Sequence, residues 1–242
     1  MTSKAGPRVT STGSKTLIGE AFERIREDII TSRLHPGEKL RIEHLRNRYG
    51  IGTSPLREAL SRLVSEGLVT TEGQRGFWVP PVSVEDYADI VETRIVLESY
   101  ALHESIQRGD DEWEGHVVAS YHNLRKIEQR LSIEPENFFP DWWGRNQLFH
   151  AALIAACPLR WLLKFHSVVF DLHNRYHRIS MKTVNISPDL FEDHRLLMES
   201  ALDRKADVAV MALERHIRRS PEPDSDLLGL PAQDKAAKAR KA

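Results

Sequence analysis

Hydrophobic positions along the chain recur at helical spacing almost throughout. Leu17, Ile18, Ala21, Phe22, Ile25, Ile29 and Ile30 trace one face of an amphipathic helix that runs to about Ser32. His35-Pro36-Gly37 then turns the chain, and a second helix fits Ile42 to Tyr49 with Gly50 as its stop. A third begins at Gly52-Thr53-Ser54-Pro55, which offers a hydroxyl cap and a first-turn proline, and buries Leu56, Ala59, Leu60, Leu63 and Val64. The period then changes. Leu68 to Thr71, a turn at Glu72-Gly73-Gln74-Arg75-Gly76, and Phe77 to Val79 read as a β-hairpin. Three helices, two of them joined by a tight glycine-containing turn, followed by a hairpin, predict a winged helix-turn-helix over residues 17–80.

Pro80-Pro81 marks a boundary, because two prolines favour an extended linker. Beyond it the pattern is helical again, with segments predicted at about 83–107, 110–131, 136–156, 159–181, 187–203 and 205–219. Six antiparallel helices over 82–219 predict an all-α bundle with a central cavity. The fold class is therefore mainly α. Residues 1–16 read as a flexible basic arm and 220–242 as a solvated tail.

Charge changes this picture only when it is divided. The 242 residues carry 34 Lys+Arg and 35 Asp+Glu, a net charge of −1 that argues against a nucleic-acid partner. Residues 1–80 hold 13 basic and 9 acidic groups, a net of +4. Residues 81–220 hold 17 and 22, a net of −5, together with nine of the eleven histidines. A modestly basic module favours a homodimer that places two such modules on one duplex. The lone Cys157 excludes an intramolecular disulfide and any cysteine-rich zinc site. The polar N-terminus is no secretion signal and no apolar run reaches the ~20 residues of a membrane span, so a soluble cytoplasmic protein is expected.

The third helix leaves Ser54, Glu58, Ser61, Arg62 and Ser65 outward, with Arg57 on the flank. Arginine reads guanine with two parallel hydrogen bonds, and Arg75 at the hairpin tip suits a neighbouring minor groove. The same residues are also what an ordinary solvated helix presents.

The residues of this region resemble the winged-helix domain of the GntR family of bacterial transcription regulators. The resemblance is carried by Pro36-Gly37, Leu40-Arg41, Pro55-Leu56-Arg57-Glu58-Ala59-Leu60, the run from Leu63 to Leu68, and Gly76-Phe77-Trp78-Val79. It continues with Arg94, Leu97, Glu98, Ala101 and Phe149-His150, which are similar to the all-helical FadR-type (FCD) branch. Within that branch, GDDEWEGHVVASYHNLRKIE and VVFDLHNRYHRI look like carbon-starvation-induced repressors of glutarate and γ-aminobutyrate catabolism. The resemblance implies a ligand-responsive repressor, a double-stranded, pseudo-palindromic operator, and DNA contacts from Arg41, Thr53, Ser54, Arg57, Gln74, Arg75 and Gly76. One departure stands out. Relatives carry Ser-Arg-Thr before the helix proline, where this chain has Gly52-Thr53-Ser54. Thr53 cannot make the bidentate guanine contact, so an altered half-site is expected.

In the first bundle helix, Arg94 and Glu98 fall inside the apolar stripe formed with Tyr87, Ile90, Val91, Leu97 and Ala101. A buried charge needs a partner. The pair is either an internal ion pair or a clamp for a ligand carboxylate, and the two are compatible. The resemblance places Arg94 in the effector pocket, with Asn146 and, more weakly, Arg175 as further effector contacts.

Histidines supply two candidate metal sets. His150, one turn after Asn146, His194 and His216 each lie on an apolar face, as do His166, His173 and His177. Neutral imidazoles with an oxygen ligand suit zinc or nickel. Spacing alone does not choose between the sets. The resemblance favours Asn146, His150, His194 and His216, with Asn146 where relatives carry an aspartate. A His-rich metalloenzyme is the alternative. However, no His-Glu-x-x-His pair, phosphate loop or nucleophile elbow is present, and that reading leaves the winged helix unexplained. A winged helix that binds protein is a third.

Overall fold

A computed structural model describes residues 17–73, 75–131, 133–180 and 188–219. The chain divides into two compact units, one ending at Pro81 and the other beginning at Val82.

The first unit contains α1 (Leu17–Ile30), β1 (Lys39–Leu40), α2 (Ile42–Tyr49), α3 (Thr53–Ser65), β2 (Thr70–Thr71) and β3 (Phe77–Trp78). Ile25 and Ile29 of α1 and Leu56, Leu60 and Leu63 of α3 are almost wholly withdrawn from water and form its core with Leu45, Leu68 and Val79. Gly50 ends α2 in the left-handed region at φ 69°, where a side chain is strained. Two details depart from the sequence reading. The expected hydroxyl cap on α3 is not made: Gly52 holds the cap position, and Thr53, Ser54 and Pro55 already belong to the first turn. The wing also gains a strand, with Lys39 opposite Trp78 and Leu40 opposite Phe77, so the sheet order is β1-β3-β2. Two residues are too short a run to show the alternation that reveals a strand.

The second unit is helical throughout its described residues: α4 (Val84–Arg108), α5 (Asp111–Leu131), α6 (Pro135–Leu153), α7 (Arg160–Ser180), α8 (Pro188–Leu202) and α9 (Ala206–Arg218). Ser83 caps α4 by accepting the Asp86 amide at 3.0 Å, and Glu85 and Asp86 complement the positive end of the helix dipole. Helix α6 ends at Leu153, short of the predicted 156, because Pro158 disfavours helical geometry in the residue before it and the chain turns first. Helix α4 packs on α7 and α9, and α5 packs on α6 and α8. Leu102, Phe149, Leu197 and Ala209 are among the fully enclosed apolar residues between them. The same interior holds Arg94, Glu98, Glu128 and six histidines, all buried. No described helix is long and apolar enough to cross a membrane.

Candidate functional site

In the first unit, Arg41, Thr53, Ser54, Arg57 and Arg75 are all exposed. Arg41 precedes α2, Thr53 and Ser54 open α3, and Arg57 follows one turn later. None of the three arginines forms an ion pair with a described residue, so their guanidinium groups are available to an outside partner. Arg62, also outward, instead lays its guanidinium over the Phe22 ring at 4.4 Å. Gly76 takes φ 119°, a wing-tip conformation open to glycine. Gln74 lies outside the described residues.

In the second unit the buried polar groups converge on Glu98, which is 1% exposed. It accepts Arg94 Nε at 2.7 Å, His150 Nδ1 at 2.8 Å and His166 Nε2 at 3.1 Å. Burial alone would raise this carboxyl. The Arg94 charge and the hydrogen bonds from His150 and His166 outweigh it and hold Glu98 well below the usual carboxylate range. The ion pair expected between Arg94 and Glu98 is therefore made.

His150, His194 and His216 come from α6, α8 and α9, and their ligand atoms lie within 4.8 Å of one another. His150 gives Nδ1 to Glu98, and His194 gives Nδ1 to Glu128 at 2.6 Å. A carboxylate on Nδ1 holds the proton there and leaves Nε2 as a lone pair, the arrangement that orients metal-ligating histidines. His150 Nε2 faces His216 Nε2 at 3.1 Å. Burial pushes His150 down to about 4, against the opposing pull of Glu98, and pushes His216 well below its ordinary value. Both are neutral at pH 7, the form that binds metal. His194 Nε2 and Asn146 Oδ1 are buried without a hydrogen-bond partner among the described residues. Three imidazoles, two supporting carboxylates and unpartnered acceptor atoms are a chemistry that fits a divalent ion.

The rival set does not come together. His166 turns to Glu98, while His173 and His177 face each other with Nε2 atoms 3.3 Å apart. Among the described residues, the His150, His194 and His216 group alone gathers three or more histidine, cysteine or carboxylate ligands. The two sets are nevertheless linked through Arg94. Its Nη1 bonds His173 Nδ1 at 3.0 Å, and its guanidinium lies 4.6 Å from the Phe170 ring centre. A cavity of about 40 Å³ is lined by Arg94, Asn146, His173, Asn174, His177 and His216, with Trp142, Trp143, Phe170 and Leu190 as its apolar walls. That volume holds roughly three water-sized groups. Arg175 is buried, but it is not among the residues that line this cavity.

Glu128 is the residue that sequence reasoning missed. It lies on the buried stripe of α5 with Tyr121, Leu124 and Leu131, and an acid within such a stripe was the available signal.

Comparison with known proteins identifies the family of both units. Residues 17–79 match the family described as bacterial regulatory proteins, gntR family, and residues 89–219 match the FCD domain. The chain belongs to the GntR family of DNA-binding transcription regulators, in its FCD-containing branch. It is 41% identical over 206 residues to the HTH-type transcriptional regulator BphR of Paraburkholderia xenovorans, covering 85% of this chain and 84% of that one. It is 36% identical over 202 residues to the HTH-type transcriptional repressor GlaR of Escherichia coli, covering 82% and 91%. The fold is shared with E. coli McbR/YncC at a TM-score of 0.70, 17% identity and coverage of 93% of this chain and 98% of that one. The family and these relatives are transcription regulators and not enzymes, which sets the metalloenzyme alternative aside.

Proposed function

We propose that the chain is a repressor of a carboxylic-acid or amino-acid catabolic operon, released from its operator by a small carboxylate. It acts as a homodimer, with one winged helix on each half of a pseudo-palindromic site. Arg41, Thr53, Ser54 and Arg57 approach the major groove and its phosphates, and Arg75 and Gly76 of the wing reach the minor groove.

The observation that carries the effector reading is the cavity where Arg94 meets Asn146 and His216. Arg94 has five N–H donors, of which Glu98 and His173 engage three. The remaining two suit an incoming carboxylate, whose geometry matches the planar fork. Glu98 thus holds the arginine in place without exhausting it. The cavity volume limits the effector to a small acid.

His150, His194, His216 and Asn146 would hold the metal, zinc or nickel. When bound, it supplies a fixed positive charge that draws a carboxylate oxygen into the site. Asn146 adds an oxygen but no charge. Counting Arg94, Glu98, Glu128 and a divalent ion leaves the loaded site at a net of about +1, one more than an aspartate at 146 would give. That surplus favours an anionic effector. The test is operator binding in the presence and absence of short carboxylic acids: the acids weaken binding if the reading is right and leave it unchanged if it is wrong.

A further inference from the structure

The wing carries a large aromatic residue on its outer side. Successive residues of a strand point to opposite sides of the sheet, and residues directly opposite each other on neighbouring strands share a side. Leu40 and Val79 are 3% and 0% exposed and belong to the core of the first unit. Trp78 precedes Val79, and it is flanked by Lys39 of β1 and Thr70 of β2 in one cross-strand row. That row therefore faces away from the core, where packing does not require an indole. Trp78 is accordingly only partly buried.

The Lys39 ammonium lies 4.8 Å from the Trp78 ring centre, the geometry of a cation–π contact. Lys39 is exposed and forms no ion pair with a described residue. The neighbouring carboxylate is engaged elsewhere, since Glu38 accepts the His35 amide at 2.8 Å. The ring thus holds the charge in place without neutralising it. Restricting a long, flexible side chain in advance lowers the entropic cost of a later contact.

The charge is held beside the wing tip. A β-carbon at Gly76 would meet the Trp78 ring at 3.8 Å and Lys39 Cε at 3.9 Å, and the ammonium is one bond beyond that carbon. A duplex that receives Arg75 and Gly76 in its minor groove has a phosphate row on each side of a gap about 6 Å wide. Lysine meets such a phosphate as a point charge.

We propose that Lys39, held on the Trp78 ring, contacts a backbone phosphate beside the groove that the wing enters. Trp78 acts through it as a positioning residue. This rests on the reading of Arg75 and Gly76 as the minor-groove tip and adds an anchor on the sugar-phosphate backbone. A contact of that kind carries no sequence preference.

The test is fluorescence anisotropy of the full chain from about 50 to 200 mM salt with two labelled duplexes. One is selected by the wild type from a randomised pool, and the other is a scrambled duplex of equal length. Lys39→Met keeps an apolar stem beside the ring and removes the charge. It weakens binding to both duplexes by about three- to tenfold and lowers the slope of log affinity against log salt by about 0.9. Lys39→Arg keeps a cation on the ring and retains the wild-type slope. Trp78→Leu weakens both duplexes by about two- to threefold with the slope unchanged, and Trp78→Tyr, which keeps an aromatic face, restores most of the loss. In the Lys39→Met background Trp78→Leu has no further effect, whereas a ring that served only the fold would weaken binding equally in both backgrounds and so overturn the positioning role. An unchanged slope for Lys39→Met, or a loss confined to the selected duplex, overturns the phosphate contact. Arg75→Ala, measured alongside, separates the two readings. If it weakens binding and Lys39→Met does not, the wing reading stands and Lys39 is not its anchor. If neither variant weakens binding, both readings fail.

Discussion

The Tyr176 hydroxyl donates to Asp86 Oδ2 at 2.5 Å and accepts the Ser83 amide at 3.1 Å, so one side chain of α7 holds the first turn of α4. Its ring lies 5.4 Å from that of Tyr87, which in turn stacks on His173 at 5.7 Å. A continuous set of contacts therefore joins the cavity to the residues that follow the Pro80-Pro81 linker. Tyr176→Phe keeps the ring packing and removes the tie. The expected outcome is unchanged effector affinity with an effector-driven loss of DNA binding at least about threefold smaller than in the wild type. Paired titrations of effector and operator on the same preparation check it.

Glu98 anchors three cationic or donor groups in a buried site. Glu98→Leu strands the Arg94 charge and lowers stability by about 3–5 kcal/mol. Glu98→Gln keeps a hydrogen-bonding oxygen and costs less. Urea unfolding of both variants gives the comparison, and equal stability of Glu98→Leu and wild type would show that the ion pair is dispensable.

If the proposed metal site is right, metal affinity is expected to follow the oxygen at 146 and the carboxylates behind the histidines. Asn146→Asp adds a charged ligand and tightens zinc binding by about tenfold or more. Glu128→Gln weakens it by about 10–100-fold by loosening His194. His150→Ala and His194→Ala lose most of the zinc, whereas His173→Ala retains it. Chelator competition measures all five, and loss of zinc from His173→Ala alone would reassign the site to the other histidine pair.

Acid weakens the bundle through its neutral histidines. Burial, reinforced by Arg94, pushes His177 from 6.5 down to about 3. Between those values the unfolded chain binds a proton that the folded chain does not. Stability from this group is complete above about pH 6.5 and falls progressively as pH drops toward 3. His177→Gln reduces the slope of unfolding free energy against pH between 6.5 and 4 by up to about one proton. Urea denaturation across that range reads it directly.

On the DNA face, Arg57→Ala and Arg75→Ala each weaken operator binding by about 1–3 kcal/mol. Thr53→Arg restores a fork at the start of α3 and shifts the preferred half-site toward a guanine. Selection from a randomised half-site library reveals the change, and identical sequences from both proteins would remove Thr53 from the readout.

The winged helix was legible because its elements are local: each helix shows its own apolar stripe, and Gly50 and Gly76 stand where the backbone requires them. Strand β1 escaped because Lys39-Leu40 owes its conformation to pairing with Phe77 and Trp78, far along the chain. The charges of Arg94 and Glu98 within an apolar stripe announced a buried site, as did the inward histidines. Spacing could not show which histidines converge, because His150, His194 and His216 lie on three helices and meet only through packing. Nor could it show that His173 and His177 answer to Arg94, a contact spanning 79 residues.

The central claim is that a small acid bound at Arg94 loosens the grip of the winged helices on DNA. Fluorescence anisotropy with a labelled fragment of the operator, at fixed salt, tests it on wild type and on Arg94→Lys, which keeps the charge beside Glu98 but loses the fork. The account predicts that an acid which weakens wild-type binding tenfold leaves Arg94→Lys nearly unaffected at the same concentration. An equal response from both proteins would contradict it.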